Sequence, residues 1–232
     1  MYKGKPILVC SDFHMPYHHR HIIEFLKAVH RLWGCHDSIV HAGDLFDFHA
    51  MSKHLPELDT VGPDNEYSKA LIAVQRFTSS FPYGVLVLGN HDRIPQRQMK
   101  EIRLSEKLLK TLNDLYGLPK SWKVETLFHT ICNKQVLIEH SAEGTSGPQG
   151  ALKGAIAKRS SYVKGHNHAY AGCLYHANHN SLIFGLNTGC GCDNKTLATR
   201  YAQYNLHKGV LGCGVVVNEC EAYFVPMPLG NK

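Results

Sequence analysis

The sequence predicts an α/β fold, two sheets with helices outside, and three observations predict it. Through the first half of the chain, short apolar runs alternate with apolar residues at helical spacing, in the order strand, helix, strand, helix, strand. In the second half the pattern changes to short apolar runs paired across turn residues, as in hairpins. Four apolar runs also end close to Asp, Asn or His, which places polar chemistry at strand ends.

Taken in order, Ile7-Leu8-Val9-Cys10 reads as a strand running into Ser11-Asp12-Phe13-His14. Ile22, Phe25, Leu26, Val29, Leu32 and Trp33 then recur as the apolar stripe of a helix. Ser38 to Ala42 reads as a buried strand that stops at Gly43 and Asp44, with Asp47 three residues on. An irregular stretch from His54 to Asn65 leads to a helix whose face is Ala70, Leu71, Val74 and Phe77. Phe81-Pro82-Tyr83-Gly84 breaks it, and Val85 to Leu88 runs into Gly89-Asn90-His91-Asp92. This order favours a parallel sheet with crossover helices, in which ligands gather beyond the carboxyl ends of the strands.

From Arg93 to Trp122 the chain reads as helical and basic, with Leu104, Leu108, Leu112, Leu115 and Tyr116 as the buried stripe and Gly117-Leu118-Pro119 as the stop. Val124 to Ile131 and Gln135 to Glu139 are expected to form a hairpin through Cys132-Asn133-Lys134. His140 opens a Gly- and Ser-bearing loop, a short helix runs from about Gln149 to Lys158, and Tyr162-Val163 leads into Gly165-His166-Asn167-His168. Two more hairpins follow, Gly172 to His176 with Leu182 to Leu186, and Val210 to Val217 with Ala222 to Val225. Without repeats or linkers the chain reads as one domain over residues 1–232, with about 93–122 as a cap-like insert.

Composition sets outer limits. At 232 residues, 44% hydrophobic and 19% charged, the chain can bury a full core, which excludes disorder as the default. No apolar run approaches the roughly 18 residues of a membrane span, and the strand starting near Pro6 leaves no room for a signal peptide, so a cytoplasmic location is expected. Eight cysteines scattered through apolar runs read as reduced core residues. Cys190 and Cys192, near Cys173, belong to that set, with a thiolate zinc site as the alternative. The net charge of +6 favours anionic partners only weakly. Seventeen histidines are the outlier, and their placement decides what they mean. His18, His19, His21, His49 and His54 read mostly as surface or supporting residues.

Asp12 and His14 are two residues apart, as are His166 and His168, so each pair can reach one ion from a strand end. Carboxylate, imidazole and amide oxygen together suit Mn²⁺, Fe or Zn²⁺ better than Ca²⁺ or Mg²⁺. The lack of Cys among these strand ends weighs against a structural zinc site. Asp12, His14, Asp44, Asn90, His140, His166 and His168 make seven candidate ligands, more than one ion ordinarily uses. Two ions sharing Asp44 would use four each, the arrangement that clamps attacking and leaving oxygens in phosphoryl displacement.

Asp12-x-His14, Gly43-Asp44-x-x-Asp47, Gly89-Asn90-His91-Asp92, a later His140 and Gly165-His166-x-His168 resemble, in order, the calcineurin-like metallophosphoesterases. The likeness runs from about residue 7 to residue 189 and implies a four-layer α/β/β/α sandwich. It implies that Asp12, His14 and His168 hold one metal, that Asn90, His140 and His166 hold the other, and that Asp44 bridges them. It further implies in-line attack on phosphorus by a hydroxide bridging two divalent ions, Mn²⁺ expected, with Fe, Zn²⁺ or Ni²⁺ as alternatives. His91 would then stand by the leaving oxygen, oriented by Asp47. Asp92 reads as support for its loop.

Two departures narrow the class. The protein Ser/Thr phosphatases in this superfamily carry Arg after the second Asp, where this chain has Phe48; Ser141 replaces the usual Gly after His140. The run Arg93, Arg97, Lys100, Arg103, Lys107 and Lys110 reads first as a solvated face, with a cap that attracts polyanions as the alternative. Arg93, Arg97 and His49 are the candidate substrate contacts, while Tyr17, Phe48 and Tyr170 could stack on a base or simply wall the site. The expected function is hydrolysis of a phosphodiester in a nucleotide or nucleic acid, with no membrane partner. A phosphomonoesterase acting on a small metabolite or nucleotide end is the alternative, and a noncatalytic binding protein on the same fold a third.

Overall fold

A computed structural model of the chain describes residues 4–52, 61–105, 110–193 and 208–228. β1 (Ile7–Cys10), β2 (Ser38–His41) and β3 (Tyr83–Val87) are nearly continuous apolar runs because both of their faces are buried. Between them run α1 (Ile22–Trp33) and α2 (Pro63–Ser80). Gly34, at a φ of 59°, takes the left-handed turn that ends α1, and its N–H donates to Arg31 O. Pro63 opens α2, whose first turn carries Asp64 and Glu66 where the helix dipole favours them.

The remaining elements are α3 (Ile94–Glu101), α4 (Leu112–Leu115), β4 (Trp122–Glu125), β5 (Phe128–Ile131), β6 (Val136–Glu139), α5 (Gly150–Lys158), β7 (Ser161–Lys164), β8 (Ala171–Ala177), β9 (Leu182–Thr188), β10 (Gly212–Asn218) and β11 (Glu221–Pro226). Six strands form one sheet in the order β11-β10-β1-β2-β3-β4, and five form the other in the order β5-β6-β7-β9-β8. Both sheets are mixed: β1 to β4 run parallel with Val9 opposite Val40, while β10 is antiparallel to β1; β6, β7 and β9 run parallel between antiparallel β5 and β8.

The two-residue period of the strands divides the core. Ile7, Val9, Val40, Val85 and Val87 meet Val136, Ile138, Val163 and Leu186 between the sheets. Their neighbours Leu8, Cys10, Ile39 and Leu86 face the other way, against Ile22, Leu26, Val74 and Phe77 of α1 and α2. Leu137, Tyr162 and Ile183 back onto Ala151 and Ala155 of α5. The layers are therefore helix, sheet, sheet, helix. Among the described residues no helix is long and apolar enough to cross a membrane.

Three local expectations are corrected. Among the described residues the helix expected over 93–122 is two short helices, the first ending where Arg103 takes a left-handed φ of 58°. Leu104 is accordingly exposed, Leu112 and Leu115 are half-buried, and only Tyr116 of the expected stripe is fully buried; Leu108 and Lys107 lie outside the described residues, as does His54. The strand expected over Val124 to Ile131 belongs to two sheets. β4 pairs with β3, Val85 opposite Lys123, whereas β5 pairs with β6, Thr130 opposite Leu137, and Thr126-Leu127 carry the chain across. Leu32, counted in the stripe of α1, is 82% exposed because it lies off the arc centred on Leu26.

Candidate metal centre

β1, β2, β3, β6 and β7 deliver their carboxyl ends to one place, and the chain turns sharply there. Asp12, His14, Asp44 and His166 all take left-handed backbone conformations, with φ of 56°, 49°, 53° and 69°. Non-glycine residues rarely adopt this region, and it persists where surrounding bonds impose it. Here Asp12 N donates to Gly43 O at 2.9 Å, His14 N to Asp44 O at 3.0 Å, and His166 N to the Asp12 carboxylate at 2.9 Å.

All seven predicted ligands meet. His168 Nε2 lies 3.1 Å from Asp12 Oδ1 and 3.2 Å from His14 Nε2. Beside this group, His140 Nε2 lies 3.1 Å from Asp44 Oδ2 and 3.0 Å from Asn90 Oδ1. His166 joins Asp44 and His140 with its ligand atom within 4.8 Å of theirs. Asp44 Oδ2 is also 3.8 Å from His14 Nε2, so one carboxylate faces both groups.

The donor chemistry fits cations. His140 Nδ1 is 2.9 Å from Ala42 O, which can only accept, so Nδ1 carries the hydrogen. The lone pair of a neutral ring then points from Nε2 at two oxygens, Asp44 Oδ2 and Asn90 Oδ1. A proton or a metal ion must stand between them, and a second partner on the far ring nitrogen is the usual support of a metal-bound histidine. Burial alone would push His140 down, but Asp44 and Asp12 outweigh it and raise it to about 9. Burial likewise pushes Asp12 and Asp44 up, and the facing histidines, His168 for Asp12 and His140 for Asp44, hold both below the ordinary carboxylate range. Buried carboxylates that face histidine nitrogens in this way are groups that divalent ions can neutralise in place of protons.

Asp47 serves two histidines. Its Oδ1 is 2.8 Å from His14 Nδ1 and 3.3 Å from His91 Nδ1, while its backbone oxygen accepts from His91 Nδ1 at 2.7 Å. The carboxylate is thus nearer the candidate ligand His14 than the histidine it was expected to orient. Burial pushes Asp47 up, but hydrogen bonds from His14 and His91 bring it down to about 2. His91 moves the other way: burial lowers it, and Asp47 and Asp44 raise it to about 10. His41, by contrast, is fully buried with neither ring nitrogen bonded, edge-on to Phe13 at 4.6 Å, and burial drives it down to about 3. It is a neutral core residue.

Supporting residues come from farther along the chain. Asp92 accepts three backbone N–H groups, from Asp44 at 2.8 Å, Gly89 at 2.9 Å and Phe46 at 3.0 Å, which ties the second motif to the third. Two motif glycines make room for carboxylates: a Cβ at Gly89 would fall on Asp44 Oδ1, and one at Gly165 on Asp12 Oδ2. Gly89→Ala is therefore expected to destabilise the fold by about 1–3 kcal/mol and displace Asp44. Urea unfolding of the purified variant checks it, and wild-type stability would refute the close approach.

Sequence reasoning missed two supporting residues. Glu66, buried in the first turn of α2, accepts from His49 N at 2.9 Å and Ala50 N at 2.7 Å, pinning the turn after Asp47. Lys164, also buried, donates to Thr145 O at 2.9 Å and holds the loop after His140. A buried-looking Glu or Lys was the available signal, but its partner could not be read. His49 begins a one-turn 3₁₀ helix and belongs to none of the close groups of His, Asp, Glu or Cys among the described residues. Arg93 donates to Leu88 O and Thr126 O, and Arg97 to Asn90 O at 2.6 Å, so both guanidinium groups are anchored to backbone.

Comparison with protein-family models matches residues 5–187 to calcineurin-like phosphoesterase. No curated protein matches the chain.

Proposed function

The chain belongs to the calcineurin-like phosphoesterase family, and from that premise we propose that it hydrolyses a phosphodiester of a nucleotide or nucleic acid. It is a metal-dependent hydrolase of phosphate esters, with Asp and His clusters suited to divalent ions. In this reading Asp12, His14 and His168 hold one ion, Asn90, His140 and His166 hold the other, and Asp44 is shared. Mn²⁺ suits the mixed nitrogen and oxygen donors. When bound, the ions supply Lewis acidity at the phosphoryl oxygens and lower the pKa of a water.

The chain's own residues complete the displacement. Because Nδ1 of His91 donates to Asp47 O, its other nitrogen is left to face substrate. A water gives one proton to solvent as its oxygen bonds to phosphorus, the P–O bond to the leaving group breaks with its electron pair going to the departing oxygen, and the Nε2 proton of His91 passes to that oxygen. Asp47 and Asp44 favour the protonated ring that this step requires. In the same reading the chain is one domain, and the described residues of 93–122 form a cap-like wall beside His91. None of the eight cysteines is in a disulfide among the described residues, which fits a cytoplasmic setting.

The observation that carries the diester preference is Phe48. Its ring is buried and stacked on Phe46, with centroids 5.0 Å apart, at the position where the protein phosphatases carry arginine. No cation from that position meets the extra charge of a monoester. With Mn²⁺, bis(4-nitrophenyl) phosphate is expected to be hydrolysed with a higher kcat/KM than 4-nitrophenyl phosphate. The reverse order would make the enzyme a phosphomonoesterase.

A further inference from the structure

Past the ends of β3 and β4 an open cleft of about 510 Å³ lies against α3 and the start of α4. Its size is within the range of small-molecule sites, roughly 300–1,000 Å³. Arg93, Arg97 and Lys100 reach it from α3 and its N-cap at spacings of four and three, which puts them on one helix face. Lys110 lines it from a second segment, just before α4. Leu88, Leu112 and Leu127 supply an apolar wall, and no carboxylate lines the cleft among the described residues. A merely solvated charged face would not gather cations from two segments around an apolar surface.

The cleft is coupled to the catalytic end of the chain. Leu88 lies two residues before Asn90, and Arg93 two after His91. Arg97 donates to Asn90 O, and Arg93 donates to Leu88 O at 3.0 Å. A guanidinium has five N–H donors, so each anchored arginine keeps others for a ligand, and it is already oriented. The cleft therefore adjoins the loop that carries Asn90 and His91.

We propose that this cleft is a leaving-group subsite for a second phosphate carried on an apolar body of nucleotide size. The substrate would be a diester whose leaving alcohol belongs to a nucleotide already bearing another phosphate. Arg97, Lys100 and Lys110 take the phosphate, and the leucine wall takes the base or sugar face. The inference rests on the diesterase reading above, but its binding test does not need turnover.

Adenosine 3′,5′-bisphosphate, titrated calorimetrically into chelator-treated protein, is the probe. It is expected to bind, adenosine is expected not to, and the double variant Lys100→Glu/Lys110→Glu is expected to weaken binding at least about tenfold. The variant's thermal midpoint reports whether it folds, and raised salt, a second measurement on unaltered protein, should weaken binding as well. Equal binding of adenosine, or none of the bisphosphate, would overturn the subsite. In the assay arm, a dinucleotide with a further phosphate on its leaving nucleotide should show a higher kcat/KM than the same dinucleotide without it, and the ratio should collapse in the variant. An enzyme that binds the bisphosphate yet cleaves no diester would refute the diesterase reading and leave the anion site standing.

Discussion

Replacing Asp44 by Ala is expected to empty both halves of the metal centre and lower kcat/KM by roughly 10³-fold or more. The geometry explains why this residue should outweigh its neighbours. Oδ2 lies 3.1 Å from His140 Nε2 and 3.8 Å from His14 Nε2, so it faces one candidate ligand of each group, while Oδ1 accepts the backbone N–H of His91 at 2.8 Å. Removing the side chain withdraws the shared anion, leaves His140 with only Asn90 opposite its lone pair, and frees the turn that carries His91. Asp12→Ala, in contrast, removes an anion from the His14 and His168 group alone. Metal content per chain, measured by mass spectrometry beside kcat/KM, separates the two. If Asp44→Ala still held two ions per chain, the shared role would be wrong.

His91→Ala should leave the metals in place and lower kcat by roughly 10²–10⁴-fold. The loss should be larger for a diester with a poor alcohol leaving group than for a nitrophenyl ester, because only the former needs the proton. An equal loss for both would move His91 from acid to charge stabiliser. Asp47→Asn tests the same pair through pH. The pKa of His91 is raised, so its protonated form persists at neutral pH and is lost as pH climbs towards about 10. Withdrawing the Asp47 charge lowers that value, and the alkaline fall of kcat/KM should shift to lower pH. Because Asp47 Oδ1 also holds His14 Nδ1 at 2.8 Å, metal affinity should weaken by about 10–100-fold in the same variant. An unmoved alkaline limb would sever the proposed link between Asp47 and His91.

The candidate ligands were legible because each stands within a few residues of a strand end. Cys10 into Asp12, Ala42 into Asp44 and Leu88 into Asn90 are local changes from apolar to polar, visible without any partner. The helices α1, α2 and α5 were legible for a related reason, since a stripe or a capping residue is written within a few turns. The passage from β4 to β5 was not, because Val124 to Ile131 holds no Gly or Pro to mark where the chain leaves one sheet for the other. Nor was the break after α3, where Arg103 turns left-handed with no glycine to announce it.

Residue type and strand-end position, both local properties, determined which atoms could hold metal. Packing within and between the sheets decided which of them meet: Asp47 finds His14 across 33 residues and Asp92 finds Asp44 across 48 at the end of one sheet, and His168 finds Asp12 across 156 from the other. The same packing gave Asp47 its second histidine and gave Glu66 and Lys164 their supporting roles. A hydrogen-bond partner is chosen by distance and desolvation in the folded chain, and neither quantity exists until the layers close.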